Sequence, residues 1–148
     1  MKKQKSIGNK GFSLVELIIV IAIMAILIGV MAPQLMKYVE RSRVSADTQV
    51  ADTVRTAIMT AMLDPAVDDA SAPSAMTAPA DISTITGATK FPTLVAEILG
   101  DSPSNIAGKL KSKAYKGSAI KYQVTNTNQV IVTIESKDTS VAANLEIK

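Results

Sequence analysis

The sequence predicts an α+β protein: one long N-terminal helix, about residues 12–63, whose C-terminal half packs on a small antiparallel β-sheet. Three patterns predict it. Phe12 to Ala32 is an apolar run whose single charge is Glu16. Met36, Val39, Ala46, Val50, Val54, Ala57, Ile58 and Ala61 then recur at helical spacing, which marks one buried face of a continuing helix. Near the C-terminus, Ile120, Tyr122 and Val124, then Val130, Val132 and Ile134, alternate with other residues, the period of strands with one buried face.

The apolar run is about 21 residues, or roughly 31 Å as a helix, enough to cross a bilayer. Lys2, Lys3, Lys5 and Lys10 precede it without an acid, and that bias keeps the N-terminal side cytoplasmic. Lys37, Arg41 and Arg43 follow it, partly offset by Glu40. A secretory signal would have a shorter apolar core and a small-residue cut site, which Val30-Met31-Ala32 before Pro33 does not provide. A plain anchor leaves Glu16 unexplained, since a carboxylate within an apolar helix costs up to about 3 kcal/mol, less near the interface.

Ala22, Ala25, Gly29 and Ala32 lie three or four residues apart and form a small-residue stripe along which helix backbones can approach closely in lipid. Pro33 lacks an amide hydrogen and crowds the Gly29 carbonyl, so residues 29–33 are expected to be the softest, kinked part of the rod. The helix should stop at Leu63-Asp64-Pro65. Arg43 with Asp47 and Asp52 with Arg55 are expected to pair on its wet faces.

Beyond the helix, Asp64 to Lys90 is rich in Ala, Ser, Thr, Pro and Asp, and Ser71 to Pro79 reads as a surface loop. Asp64, Asp68 and Asp69 lack the alternation and glycine of a calcium loop, so no metal is expected there. Pro92 to Leu99 should be a short helix stopped by Gly100. Asn126-Thr127-Asn128 supplies the turn of a hairpin. Leu145 to Lys148 is expected to add a third strand and Lys113 to Tyr115 a short edge. One sheet face should cover the Val50-Val54-Ile58 stripe.

The composition excludes several functions. The chain has no Cys and no His, so disulfides, Cys/His metal sites and thiol or histidine mechanisms are absent. No glycine-rich phosphate loop follows a strand. No catalytic residue, cofactor or small-molecule substrate is expected, and the chain is not read as an enzyme. The net charge of +3 reflects the leader: twelve basic residues remain without its four lysines, against thirteen acids, leaving −1.

Gly11-Phe12-Ser13-Leu14-Val15-Glu16, with the apolar run and Pro33 behind it, closely resembles the N-terminus of type IV pilins, in particular the type IVa branch, and of their relatives the pseudopilins. The likeness covers roughly the first third of the chain. It implies a pilin fold with a cleaved leader at 1–11, a transmembrane and filament-core helix at 12–36, an amphipathic half at 37–63, and a globular head at 64–148. It implies that a prepilin peptidase cuts between Gly11 and Phe12 and methylates Phe12. Assembly would involve Phe12, Glu16, Ala22, Ala25, Gly29 and Ala32, with a kink at Gly29 and Pro33. Glu16 stands where the family's glutamate meets the terminal amine of a neighbouring subunit. The amine of Phe12 lies four residues from Glu16 in its own chain, so pairing within or between chains stays open.

The implied life cycle is a single-pass precursor in the cytoplasmic membrane, N-terminus inside, then a homo-oligomeric helical filament outside the cell. Its implied partners are the prepilin peptidase and the pilus assembly platform and motor, and its uses are adhesion, motility or DNA uptake. The alternatives are a pseudopilin or minor pilin of a type II secretion or competence system, and a membrane-anchored binding domain that does not polymerise. Lys137-Asp138-Thr139-Ser140 does not resemble the calcium loop of major pseudopilins. Family members often close the C-terminal segment with a disulfide; this chain must anchor it otherwise.

Overall fold

The computed structural model describes residues 11–68 and 72–148. Residues 1–10 of the expected leader at 1–11, and Asp69 and Ser71 of the expected loop, lie outside them. Helix α1 runs Leu14–Leu63, followed by β1 (Ala80–Asp81), a 3-10 turn (Ile82–Thr84), α2 (Lys90–Leu99) and α3 (Pro103–Ile106). After a second 3-10 turn (Ala107–Lys109) come β2 (Ile120–Val124), β3 (Val130–Ile134) and β4 (Leu145–Ile147). The chain divides into two compact units, one ending at Tyr38 and one running from Val39 to Lys148. The long helix with a small antiparallel sheet is the expected α+β architecture.

The sheet order is β1-β2-β3-β4, each pair antiparallel. Hairpin β2–β3 pairs Ile120 with Ile134 and Val124 with Val130. Its turn closes with the Thr125 amide donating to the Gln129 carbonyl at 2.9 Å. Asn128 takes φ +56°, a left-handed conformation that asparagine tolerates better than most residues. Ile120, Tyr122, Val124, Val130, Val132 and Ile134 are all buried in the cluster that also holds Val54 and Ile58 of α1. The expected strand at the C-terminus is β4, and Gly100 stops α2 with φ +65° and its amide on the Ala96 and Glu97 carbonyls.

The packed stripe of α1 differs from the expected one. It comprises Asp47, Ala51, Val54, Ala57, Ile58 and Ala61, with Val44 and Val50 partly buried beside it. Met36, Val39 and Ala46 of the expected stripe are exposed. In place of Ala46 the core face takes Asp47, an acid only 1 % exposed. Its two carboxylate oxygens accept the backbone amides of Lys111 and Ser112, each at 2.8 Å. A hydrophobic pattern passes over such a residue, yet backbone donors make its burial tolerable.

The expected ion pairs also rearrange. Arg43 pairs with Glu40 at 3.5 Å rather than with Asp47, and Arg55 donates through Nε to the Val130 carbonyl at 3.1 Å rather than to Asp52. Lys113 to Tyr115 lies in a turn, not a strand. The edge position belongs to β1, paired through Ala80 with Tyr122, inside a stretch whose Ala/Ser/Pro composition reads as loop.

Without a disulfide, the C-terminal segment is held by hydrogen bonds. The Tyr115 hydroxyl donates to the Ala143 carbonyl at 2.7 Å. The Lys137 amide donates to the Ala114 carbonyl at 2.8 Å, and the Ser136 amide to Asn144 Oδ1 at 2.8 Å. Lys113 Nζ lies 3.2 Å from Asp138, and Val132 pairs with Ile147.

Asp47→Ala would strand two amides and is expected to destabilise residues 39–148 by about 2–4 kcal/mol. Asp47→Asn, which keeps one acceptor, should lose less. Urea unfolding of the full chain in detergent, followed by tyrosine fluorescence, measures both; equal stability of Asp47→Ala and wild type would exclude the anchoring role.

Three carboxyls are held below their ordinary range: Asp101 by Asn105 and then Lys109, Glu135 by Lys121, and Asp138 by the Ser140 hydroxyl and then Lys113. A depressed carboxyl stabilises the fold above its unfolded value, and that contribution is lost as pH falls through the folded one. The thermal midpoint should therefore stay nearly flat from about pH 5 to 8, where no histidine titrates, and fall below about pH 4. Calorimetry across this range checks it.

Candidate assembly helix

Ser13 ends the non-helical approach to α1. Its amide donates to Glu16 Oε2 at 2.8 Å, and the Leu17 amide donates back to the Ser13 carbonyl at 3.2 Å. Ser13 is thus the cap and Glu16 the third helical residue, the spacing and backward carboxylate bond of a capping box. The helix begins at Leu14 rather than Phe12 for this reason. The carboxylate also meets the positive end of the helix dipole, worth about 0.3–1 kcal/mol. Ser-x-x-Glu before an apolar run is the sequence signature of this cap, and it gives Glu16 a role within its own chain besides that of a partner for an amine.

From Leu14 to Met31 the helix carries fourteen large apolar side chains, and the least exposed, Val20, is still 48 % accessible. The most apolar 18-residue window has mean hydropathy 3.0 and no buried residue. Burying one such side chain is worth about 1.5–3 kcal/mol, so the surface left open amounts to tens of kcal/mol. An apolar surface this large is a binding or membrane surface.

Ala22, Ala25, Gly29 and Ala32 are exposed along the same segment. A Cβ built on Gly29 would meet nothing within 4 Å, so no contact within the chain demands glycine there. Pro33 lies inside α1, which is α-helical on both sides of it. Gly11 and Phe12 precede the helix, and Phe12 is 90 % exposed. Phe12 and Glu16 are thus brought to one helix end, while the small residues are distributed along the rod. Of the acids after α1, Asp64 accepts the Ala66 amide at 2.8 Å, and no group of three metal-ligating side chains occurs among the described residues.

The described residues thus combine an uncovered apolar helix, with a lone acid in its first turn, and a continuing helical face packed on a small sheet. The family profile of the Prokaryotic N-terminal methylation motif matches residues 8–32. A type IV major fimbrial protein FimA of Dichelobacter nodosus is 47% identical over 56 residues, covering 38% of this chain and 36% of the relative. A fimbrial protein of Moraxella nonliquefaciens is 43% identical over 53 residues, 36% of this chain and 34% of the relative. The chain spans little more than a third of the length of the relatives it matches. No solved structure matches it. The motif and the fimbrial relatives support a type IV pilin.

Replacing Glu16 with Ala removes the capping acceptor and should speed amide exchange at Ser13 to Leu17 about threefold to tenfold, the equivalent of roughly 1 kcal/mol. Hydrogen exchange of the full chain in detergent micelles reads this directly. Unchanged exchange would show that the cap contributes nothing.

Proposed function

We propose that the chain is a structural subunit that waits in the cytoplasmic membrane and, after cleavage between Gly11 and Phe12 by a prepilin peptidase, polymerises through α1 into an extracellular type IV pilus. The observation that carries this reading is the uncovered apolar surface of Leu14–Met31 with Glu16 at its N-terminal end. Lipid covers that surface in the precursor, and copies of the same helix cover it in the fibre. The exchange keeps the surface out of water throughout.

Cleavage places a free amine on Phe12, four residues before Glu16 at the third helical position. Glu16 is the one acid in the run, and a buried carboxylate is tolerated when a cation meets it and costly when none does. Pairing with the amine of a neighbour would set the axial register of a filament built from identical, non-closing contacts. The stripe Ala22, Ala25, Gly29 and Ala32 allows close backbone approach in that bundle. The Gly29–Pro33 turn combines a poor helix former with a missing amide and is the place where the packed helix yields. The match to the methylation motif supports methylation of Phe12 by the same peptidase, and the assembly platform and motor are the partners of export.

In cells carrying the pilus machinery, mass spectrometry of the mature N-terminus should find methylated Phe12, and electron microscopy of sheared surface material should find fibres. Glu16→Ala is expected to be cleaved at Gly11 yet to lose fibres at least tenfold. Leader-bearing subunits in mature fibres, or normal fibres from Glu16→Ala, would contradict this reading.

A further inference from the structure

Half of the basic residues outside the leader gather in one place. Arg41, Arg43, Lys109, Lys111, Lys113 and Lys116 fall within segments 40–43 and 109–116, where Glu40 is the single acid. The fold brings these segments together. Glu40 accepts the Lys113 amide through one carboxylate oxygen and meets the Arg43 guanidinium with the other. Asp47 accepts the amides of Lys111 and Ser112.

These bonds strap residues 110–113 onto α1 by their backbone. Leu110, Ser112 and Ala114 are buried, so Lys109, Lys111, Lys113 and Lys116 are all exposed. The two α1 acids that hold the segment are already engaged, Asp47 by two amides and Glu40 by an amide and Arg43. Lys109 pairs with Asp101 and Lys113 with Asp138. Arg41, Lys111 and Lys116 form no ion pair among the described residues.

We propose that this basic shelf binds the phosphates of anionic lipid headgroups on the outer face of the membrane that holds the precursor. The inference rests on the membrane reading above. Arg41 and Arg43 follow Ala32, the last residue of the apolar run, by nine and eleven residues. With that run in the bilayer, Arg41 and Arg43 follow it closely in the chain, and juxtamembrane cations are drawn to anionic headgroups within a Debye length of the surface. A single-stranded nucleic acid would want several aromatic faces for stacking, but Tyr115 is 2 % and Tyr122 7 % exposed, and Tyr38, 72 % exposed, is a lone aromatic face before Arg41 in the chain. The shelf therefore helps retain the subunit in the membrane until extraction, and its lysines are freed when the subunit leaves.

The chain has no cysteine, so one probe can be placed cleanly. A Cβ at Gly108 meets nothing within 4 Å, and Gly108→Cys carries a fluorophore beside the shelf. The labelled full chain is placed in nanodiscs of phosphatidylcholine alone or with phosphatidylglycerol, each containing a headgroup-linked quencher. Quenching should be at least threefold stronger with phosphatidylglycerol. It should fall to the phosphatidylcholine level in high salt, where the Debye length is about 3 Å at 1 M, and in the double variant Lys111→Glu, Lys116→Glu. Those two exposed side chains make no hydrogen bond or ion pair among the described residues, so the variant should keep wild-type thermal stability.

Equal quenching in both disc types, with the protein retained in them, overturns the inference alone. A chain that is not retained in either disc overturns the membrane reading itself. Displacement of the quenching by duplex DNA at equal phosphate concentration would assign the shelf to nucleic acid and overturn the lipid proposal.

Discussion

The apolar surface of α1 from Leu14 to Met31 is the constraint from which the rest follows. No part of its most apolar window is buried among the described residues, and an apolar surface of this size does not stay in water. It demands a solvent of hydrocarbon or a partner of the same kind. The lone acid sits at the helix end, where the Ser13 amide and the helix dipole both favour a negative charge. Glu16 therefore stabilises the start of the rod in the uncleaved chain, and in the proposed mature subunit it is already oriented toward the end where cleavage creates an amine.

The unit from Val39 to Lys148 answers a different requirement. A small domain without disulfides must hold its connections by packing and hydrogen bonds. Asp47 and Glu40 fasten the 110–113 segment to α1 by its backbone. Tyr115, Lys137 and Asn144 fasten the segment after β3. Because these anchors use backbone groups, the side chains of the strapped segment are left to the surface, which is how a run of lysines becomes an exposed shelf.

Periodicity made the gross architecture legible. The apolar run, the hairpin around Asn126–Asn128 and the stop at Leu63 all stand in the structure near their expected positions. What escaped was decided by polar groups with distant partners. Asp47 lies on the core face because amides 64 and 65 residues away fill its carboxylate, and pattern reading moved the stripe onto Met36 and Ala46 instead. Strand β1 is two residues long in an Ala/Pro-rich stretch and exists through its pairing with Lys121 and Tyr122. At the candidate site, Glu16 was legible as an exceptional acid, whereas its bond to Ser13 required attention to cap spacing rather than to charge.

The central claim is that the Leu14–Met31 surface passes from lipid to its own copies without meeting water. A single cysteine at Ala25, probed with a membrane-impermeant maleimide, tests it at both stages. Protection is expected in the membrane-held precursor and again in sheared extracellular fibres, with labelling only after denaturation. Rapid labelling of native material at either stage would contradict the claim.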